Sequence, residues 1–245
     1  MKTLITADLH YREPWFRWLI EQAKDFDLVC IAGDLLDMFG ESRMMQAIRV
    51  SGWIKELAKS TRVAICSGNH DDAGRQTCAD RAPVYEWLAA LGKEPNVITD
   101  GATAVVNDLI VTTVPYHSTR EQKEVWLERG LSVRKQRGAE WLVLHHVPPL
   151  SYPASMGEER EAMELLRRYR PKYFACGHSH QFPYVEGRDW AEEVDGVQVL
   201  VPGQLLAAKY PNHIIQDEGA SLWQTSSQEW VEEDIWTKFP VIKPS

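Results

Sequence analysis

Five short segments of this chain end in side chains that bind metal ions of hard or borderline character. They are Asp8-Leu9-His10, Gly33-Asp34-Leu35-Leu36-Asp37, Gly68-Asn69-His70-Asp71, His145-His146 and Gly177-His178-Ser179-His180. Together they offer two or three carboxylates, one carboxamide and up to six imidazoles, a donor set large enough for two ions. Two ions about 3.5–4 Å apart are a common solution to phosphate-ester hydrolysis, because they hold the attacking and the leaving oxygen together. Each segment alone has a plainer reading. Asp8 and His10 fit a polar strand end, Asp34 a helix cap, Gly68-Asn69 a polar turn, and His145-His146 a satisfied buried pair. It is the series, in this order, that favours a metal centre.

Donors so far apart in sequence need a scaffold that gathers them. Short apolar runs at 3–7, 28–32, 63–66, 109–114, 141–145, 172–176 and 197–201 read as strands, rich in Val, Ile, Leu and aromatics and bounded by turn residues. Helical patterns lie at 14–24, 42–60, 83–91, 118–133 and 157–169, with Pro14 and Pro83 suited to a first helical turn. The alternation predicts a layered α/β sheet. From about residue 189 helical periodicity fades, which predicts a second, more antiparallel sheet within one domain spanning 1–245, with no cap domain. Asp8, Asp34, Asn69, His145 and His178 each fall at or just after the C-terminal end of a predicted strand. Ligand sites in open α/β sheets form in the crevice beyond those ends.

The bulk numbers narrow the classes. A chain of 245 residues with 44% hydrophobic and 25% charged content is an ordinary globular composition. A formal charge of −8 repels nucleic acid and anionic membranes unless a local basic patch or bound metal overrides it. The four cysteines form no CxxC pair, and three lie in apolar runs, as buried reduced thiols do. No apolar stretch approaches a bilayer span, and the first residues run straight into strand-like sequence. These features predict a cytoplasmic protein with no membrane partner.

The five blocks resemble the calcineurin-like metallophosphoesterase superfamily, whose pattern is D-x-H, G-D-x-x-D, G-N-H-D/E, a later H, and G-H-x-H. The match spans residues 8–180. Val201-Pro202-Gly203-Gln204 resembles the proline-glycine turn that often follows, without its usual Asn and Ser flanks. The resemblance implies a four-layer α/β/β/α sandwich of two mixed β-sheets flanked by helices. It implies that Asp8, His10 and His180 hold one metal, that Asn69, His145 and His178 hold the other, and that Asp34 bridges them. It makes His70 a catalytic residue facing the phosphate and leaving group, with Asp37 hydrogen-bonded to it, and leaves His146 either just behind the ligands or at the rim. Mixed N/O donors without thiolate suit Mn, Fe, Zn, Ni or Co, with manganese the first expectation.

Departures from other branches bear on the substrate. The Asp-Arg-Gly usual in protein phosphatases is here Asp37-Met38-Phe39, and the third block keeps His70 where lipid-precursor branches often carry Arg. An imidazole acid beside the phosphate favours a diester with a poor alkoxide leaving group. The expected substrate is therefore a small-molecule or nucleotidic phosphodiester. A nuclease acting on DNA or RNA and a phosphomonoesterase are the enzymatic alternatives, and a metal-free scaffold the non-enzymatic one. Rim candidates are Tyr11, Arg12, Asp72, Arg75, Tyr116, His117, Tyr152, Gln181, Lys209 and Tyr210.

Overall fold

The computed structural model describes residues 1–73, 86–149, 157–180, 191–204, 208–217 and 224–225. In chain order the elements are β1 (Lys2–Thr6), α1 (Glu13–Gln22), β2 (Leu28–Ala32), α2 (Arg43–Leu57), β3 (Arg62–Cys66), α3 (Glu86–Leu91), β4 (Val97–Ile98), β5 (Thr103–Val106), β6 (Leu109–Val114), α4 (Arg120–Arg137), β7 (Glu140–His145), α5 (Gly157–Tyr169), β8 (Tyr173–Ala175), β9 (Ala191–Val194), β10 (Val197–Leu200), β11 (His213–Asp217) and β12 (Gln224–Thr225). They form two six-stranded sheets, ordered β12-β11-β1-β2-β3-β4 and β5-β6-β7-β8-β10-β9. Both are mixed. Parallel pairing runs through β1-β2-β3-β4 and β6-β7-β8-β10, and antiparallel strands close three of the four edges, the parallel strand β4 forming the other.

Pleat alternation builds the layers. In β2, Val29 and Ile31 face the helices α1, α2 and α3, while Leu28, Cys30 and Ala32 face the other sheet. In β7, Leu142 and Leu144 face inward, whereas Trp141 and Val143 pack outward with Leu127 of α4 and Leu165 and Leu166 of α5. Three apolar layers thus separate four layers of secondary structure, and a strand buried on both sides reads as a continuous apolar run. The inner layer holds small side chains where the strands end: Ala7, Ala32, Cys66 and Ala175. They let the two sheets approach closely at that edge.

Helix signals in the sequence act locally. Thr119 and Gln122 make a reciprocal capping box on α4, which ends at Gly138 with φ 65°. Pro14 sits in the first turn of α1. The start expected for α3 at Pro83 lies outside the described residues. The tail departs from expectation. Instead of forming a new antiparallel sheet, β9 and β10 extend the second sheet and β11 and β12 the first. The tail covers the edges that β1 and β8 would otherwise leave open; the edge strand β9 carries Glu192 and Glu193, charges that discourage further pairing.

Candidate metal centre

The strand ends of both sheets converge on one group of polar side chains. Asp34, after β2, lies at its middle. Its Oδ2 is 3.3 Å from His146 Nε2 and 3.9 Å from both His10 Nε2 and His70 Nε2, and its Oδ1 accepts the His70 backbone N–H at 2.9 Å. To one side, Asp8, His10, Asp34 and His180 bring one ligand atom each within 4.8 Å of one another. His10 Nε2 and His180 Nε2 face each other at 3.0 Å, and Asp8 Oδ1 is 3.6 Å from His180 Nε2. To the other side, Asn69 Oδ1 lies 3.0 Å from His146 Nε2 and 2.9 Å from His178 Nδ1, with the two ring nitrogens 3.3 Å apart. Two donors each about 2.1 Å from a common ion are separated by about 3.0–3.4 Å. The donor spacing therefore fits a metal, and so does Asp8 Oδ2, which is buried with no hydrogen-bond partner.

His145 does not face this group. Strand alternation continues past Val143, so His145 points to the outer layer, where Nδ1 donates to the Val114 carbonyl at 3.2 Å and the ring meets Phe174 edge-on. His146, expected from the sequence just behind the ligands or at the rim, points inward and is fully buried. Its Nδ1 donates to the Ala32 carbonyl at 2.8 Å, across the gap between the sheets, leaving Nε2 aimed at Asn69 and Asp34. A backbone carbonyl that fixes the tautomer in this way is the usual support for a metal-binding imidazole.

Three glycines make the close approach possible. A Cβ on Gly33 would collide with the His146 ring and one on Gly68 with the Asp34 carboxylate. One on Gly177 would sit 2.7 Å from both Ala7 Cβ and Asp8 Oδ2. The backbone is strained as well. Asp8, His10, Asp34, His178 and His180 have φ of 55, 40, 55, 69 and 47°, in the left-handed region that L side chains avoid. Such geometry persists only where surrounding bonds hold it. Gln204 Nε2 donates to the Asp8 carbonyl at 2.6 Å, and Asp8 Oδ1 accepts the His178 N–H at 3.0 Å.

Asp71 is the main functional residue that the sequence left without a role. Its buried carboxylate accepts the backbone N–H groups of Asp34 (3.0 Å), Leu35 (2.8 Å), Leu36 (3.0 Å) and Gly68 (2.8 Å). It thereby ties the Asp34 loop to the Asn69 loop. Burial and the nearby Asp34 raise its carboxyl to about 7, against the pull of those donors. Asp37 lies with His10 and His70 in a group whose ligand atoms are within 4.8 Å. It does not make the expected bond to His70, whose Nδ1 is buried without a partner; Asp37 Oδ1 instead accepts the Phe39 N–H at 3.4 Å.

The charges follow from burial and pairing. Burial raises Asp8 to about 7. Burial opposes ionisation of Asp34 too, but His146 and its neighbours outweigh it and hold this carboxyl below its ordinary range. Burial also works against a charged His146, yet Asp34 and Asp8 lift it to about 9. Burial lowers His10 to about 4, and lowers His178 and His180. His10, His178 and His180 are thus neutral imidazoles, the state metal ligation requires, whereas His146 must release its proton and Asp8 must ionise when an ion binds.

Around this centre, the Tyr116 ring stands 5.8 Å from His146 and 6.0 Å from His178, and its hydroxyl donates to Glu158 of α5 at 2.9 Å. Tyr11 donates to Glu41 at 2.6 Å, and Tyr210 stacks on Trp18. Arg75, Tyr152 and Gln181 lie outside the described residues.

Residues 1–182 match the family model of the calcineurin-like phosphoesterases, and the chain belongs to that family. Among solved structures it resembles TT1561 of Thermus thermophilus, at 15% identity over 92% of this chain and 97% of that one, with a TM-score of 0.67. It also resembles the purple acid phosphatase PPD1 from yellow lupin seeds, at 13% identity over 88% of this chain and 48% of that one, with a TM-score of 0.53. At these identities the likeness is one of fold. No curated protein matches the sequence.

Proposed function

We propose that this calcineurin-like phosphoesterase is a two-metal phosphodiesterase acting on a small or nucleotidic diester. Asp8, His10 and His180 would hold one ion, Asn69, His146 and His178 the other, and Asp34 would belong to both. The observation that carries this reading is the division of the donors into two groups that meet at Asp34 Oδ2, with His146 rather than His145 completing the second. The donor set suits Mn, Fe, Zn, Ni or Co, and manganese is the ion to test first. When bound, such ions supply a hydroxide near neutral pH and offset the charge of the phosphate.

His70 has a different part. Its backbone N–H donates to Asp34 Oδ1, and its half-buried ring keeps Nε2 3.9 Å from Asp34 Oδ2. It faces the phosphate and delivers a proton to the departing alkoxide, which leaves as the alcohol. Asp71 and Gln204 keep the loops in position. Buried unbridged Cys30, Cys66 and Cys176 support a cytosolic setting. Among the described residues no helix is long and apolar enough to cross a membrane.

The test compares bis-p-nitrophenyl phosphate with p-nitrophenyl phosphate on apo-protein reloaded with Mn, Ni, Zn or Fe. Faster, metal-dependent diester cleavage is expected, lost in Asn69→Ala and reduced about 10²–10⁴-fold in His70→Ala. Monoester preference would overturn the diesterase assignment. Fewer than two bound ions per chain would overturn the two-metal site.

A further inference from the structure

Large apolar side chains are exposed almost entirely in one place. Met38, Phe39, Met44, Met45 and Ile48 are 47, 71, 51, 42 and 58% exposed, and among the described residues Val125 of α4 is the one other large hydrophobic so exposed. The five are not needed for packing. On α2, Ala47, Val50, Trp53, Ile54 and Leu57 already fill the core, leaving Met44, Met45 and Ile48 on the outward side. Met38 and Phe39 lie in the loop just before α2, and exposed apolar side chains gathered in this way mark a binding site; methionine adapts to ligands of varied shape.

The patch adjoins the catalytic group and is fixed to it. Met38 directly follows Asp37, whose carboxylate shares a cluster with His10 and His70. Gln46, fully buried, clamps the loop: it accepts the Asp37 N–H at 2.8 Å and donates to the carbonyls of Phe39 (3.4 Å) and Glu41 (2.8 Å). Glu41 in turn accepts from Tyr11, the neighbour of His10, at 2.6 Å and pairs with Arg49 at 3.3 Å. The loop that carries Met38 and Phe39 is therefore tied both to α2 and to the neighbour of His10.

We propose that Met38, Phe39, Met44, Met45 and Ile48 receive the apolar part of the leaving alcohol, so that the substrate is an amphiphilic phosphodiester. Its phosphate lies at the metal centre and its hydrocarbon on the patch. The inference rests on the phosphodiesterase reading, in which His70 faces the leaving oxygen. The occupant follows from continuity, since the chain passes from the His70 cluster through Asp37 straight into the patch. A second copy or a partner protein needs no such continuity.

The test uses methyl phosphodiesters of 2-nitro-4-alkylphenols, with the alkyl tail running from methyl to octyl. The tail scarcely changes the acidity of the phenol, so kcat/KM reports contact rather than chemistry. Full burial of each methylene is worth about fourfold; a half-enclosing patch should give an octyl-to-methyl ratio of at least about 10. The ratio should fall towards one in Phe39→Ser/Ile48→Ser and persist in Val125→Ser. Turnover of the methyl compound with a ratio near one in the wild type overturns this inference alone. Failure to cleave any diester overturns the phosphodiesterase reading, and this inference with it. Self-association of the wild type in sedimentation velocity, abolished in Phe39→Ser/Ile48→Ser, would assign the patch to a second copy and overturn the proposal.

Discussion

The two donor groups meet at Asp34 but differ in how they are held. In the group of Asn69, His146 and His178, the His146 ring is fully buried, pinned by the Ala32 carbonyl and packed against Gly33. The loop under Asn69 is fastened by the Asp71 carboxylate. In the group of Asp8, His10 and His180, the His180 side chain is 42% exposed. Burial and external hydrogen bonds fix donors before an ion arrives, which removes ordering cost from binding. The first group is thus anchored on a fully buried ring, whereas the second, with Asp8 and His10 buried, opens to water at His180.

Breaking the buried group should have the larger effect. His146→Ala should lower kcat/KM by about 10³-fold, the scale of losing a main electrostatic stabiliser, and should remove one ion per chain by elemental analysis. His145→Ala should cost stability, by about 2 kcal/mol for a truncated buried side chain, with both ions retained. The reverse pattern would restore His145 as the ligand. Breaking the open group should do less. In His180→Ala water can take the lost position, and affinity for one ion should fall about 10–100-fold, measured as the metal concentration giving half activity. An equal loss in His180→Ala and His146→Ala would remove the distinction between the groups.

The smallest effect concerns the support beneath Asn69. Asp100 accepts the Ser67 N–H at 2.8 Å, and Ser67 Oγ accepts the Tyr116 N–H at 3.0 Å. Burial raises the Asp100 carboxyl from 3.8 to about 6. The folded chain therefore binds this proton more readily than the unfolded chain. The resulting stabilisation is fully present below pH 3.8 and is lost as pH rises through about 6. Asp100→Asn should match the wild type near pH 3.5 and become progressively more stable than it up to about pH 6.5, then stay level, by urea midpoint. A pH-independent difference would mean that burial of the charge is not the cause.

Much of this was legible in the sequence, for identifiable reasons. Strands β2, β3, β6 and β7 are apolar on both faces because each lies between two packed layers, so they stood out as short runs. The donors stood out because they follow those runs. The same property hid the choice between His145 and His146. With Trp141, Leu142, Val143 and Leu144 all apolar, no polar alternation showed which parity faced inward, and matching by position picked His145, whose ring turns to the outer layer. Asp71 was hidden because its partners are four backbone N–H groups contributed by residues 34–36 and 68. Edge strands such as β9 (Ala-Glu-Glu-Val) and the two-residue β4 lack an apolar run and were missed. The same holds for the Asp37–His70 bond, whose absence is a matter of tenths of a nanometre rather than of residue type.

The left-handed backbone at Asp8, His10, Asp34, His178 and His180 has an evolutionary consequence. Each costs roughly 1 kcal/mol relative to a residue at ease there, against a net stability of about 5–15 kcal/mol for a whole domain. Glycine would relieve that cost at every one of the five positions. Heat tolerance alone would therefore press towards glycine at the proposed metal ligands, opposed at Asp8 and Asp34 by the hydrogen bonds their carboxylates accept.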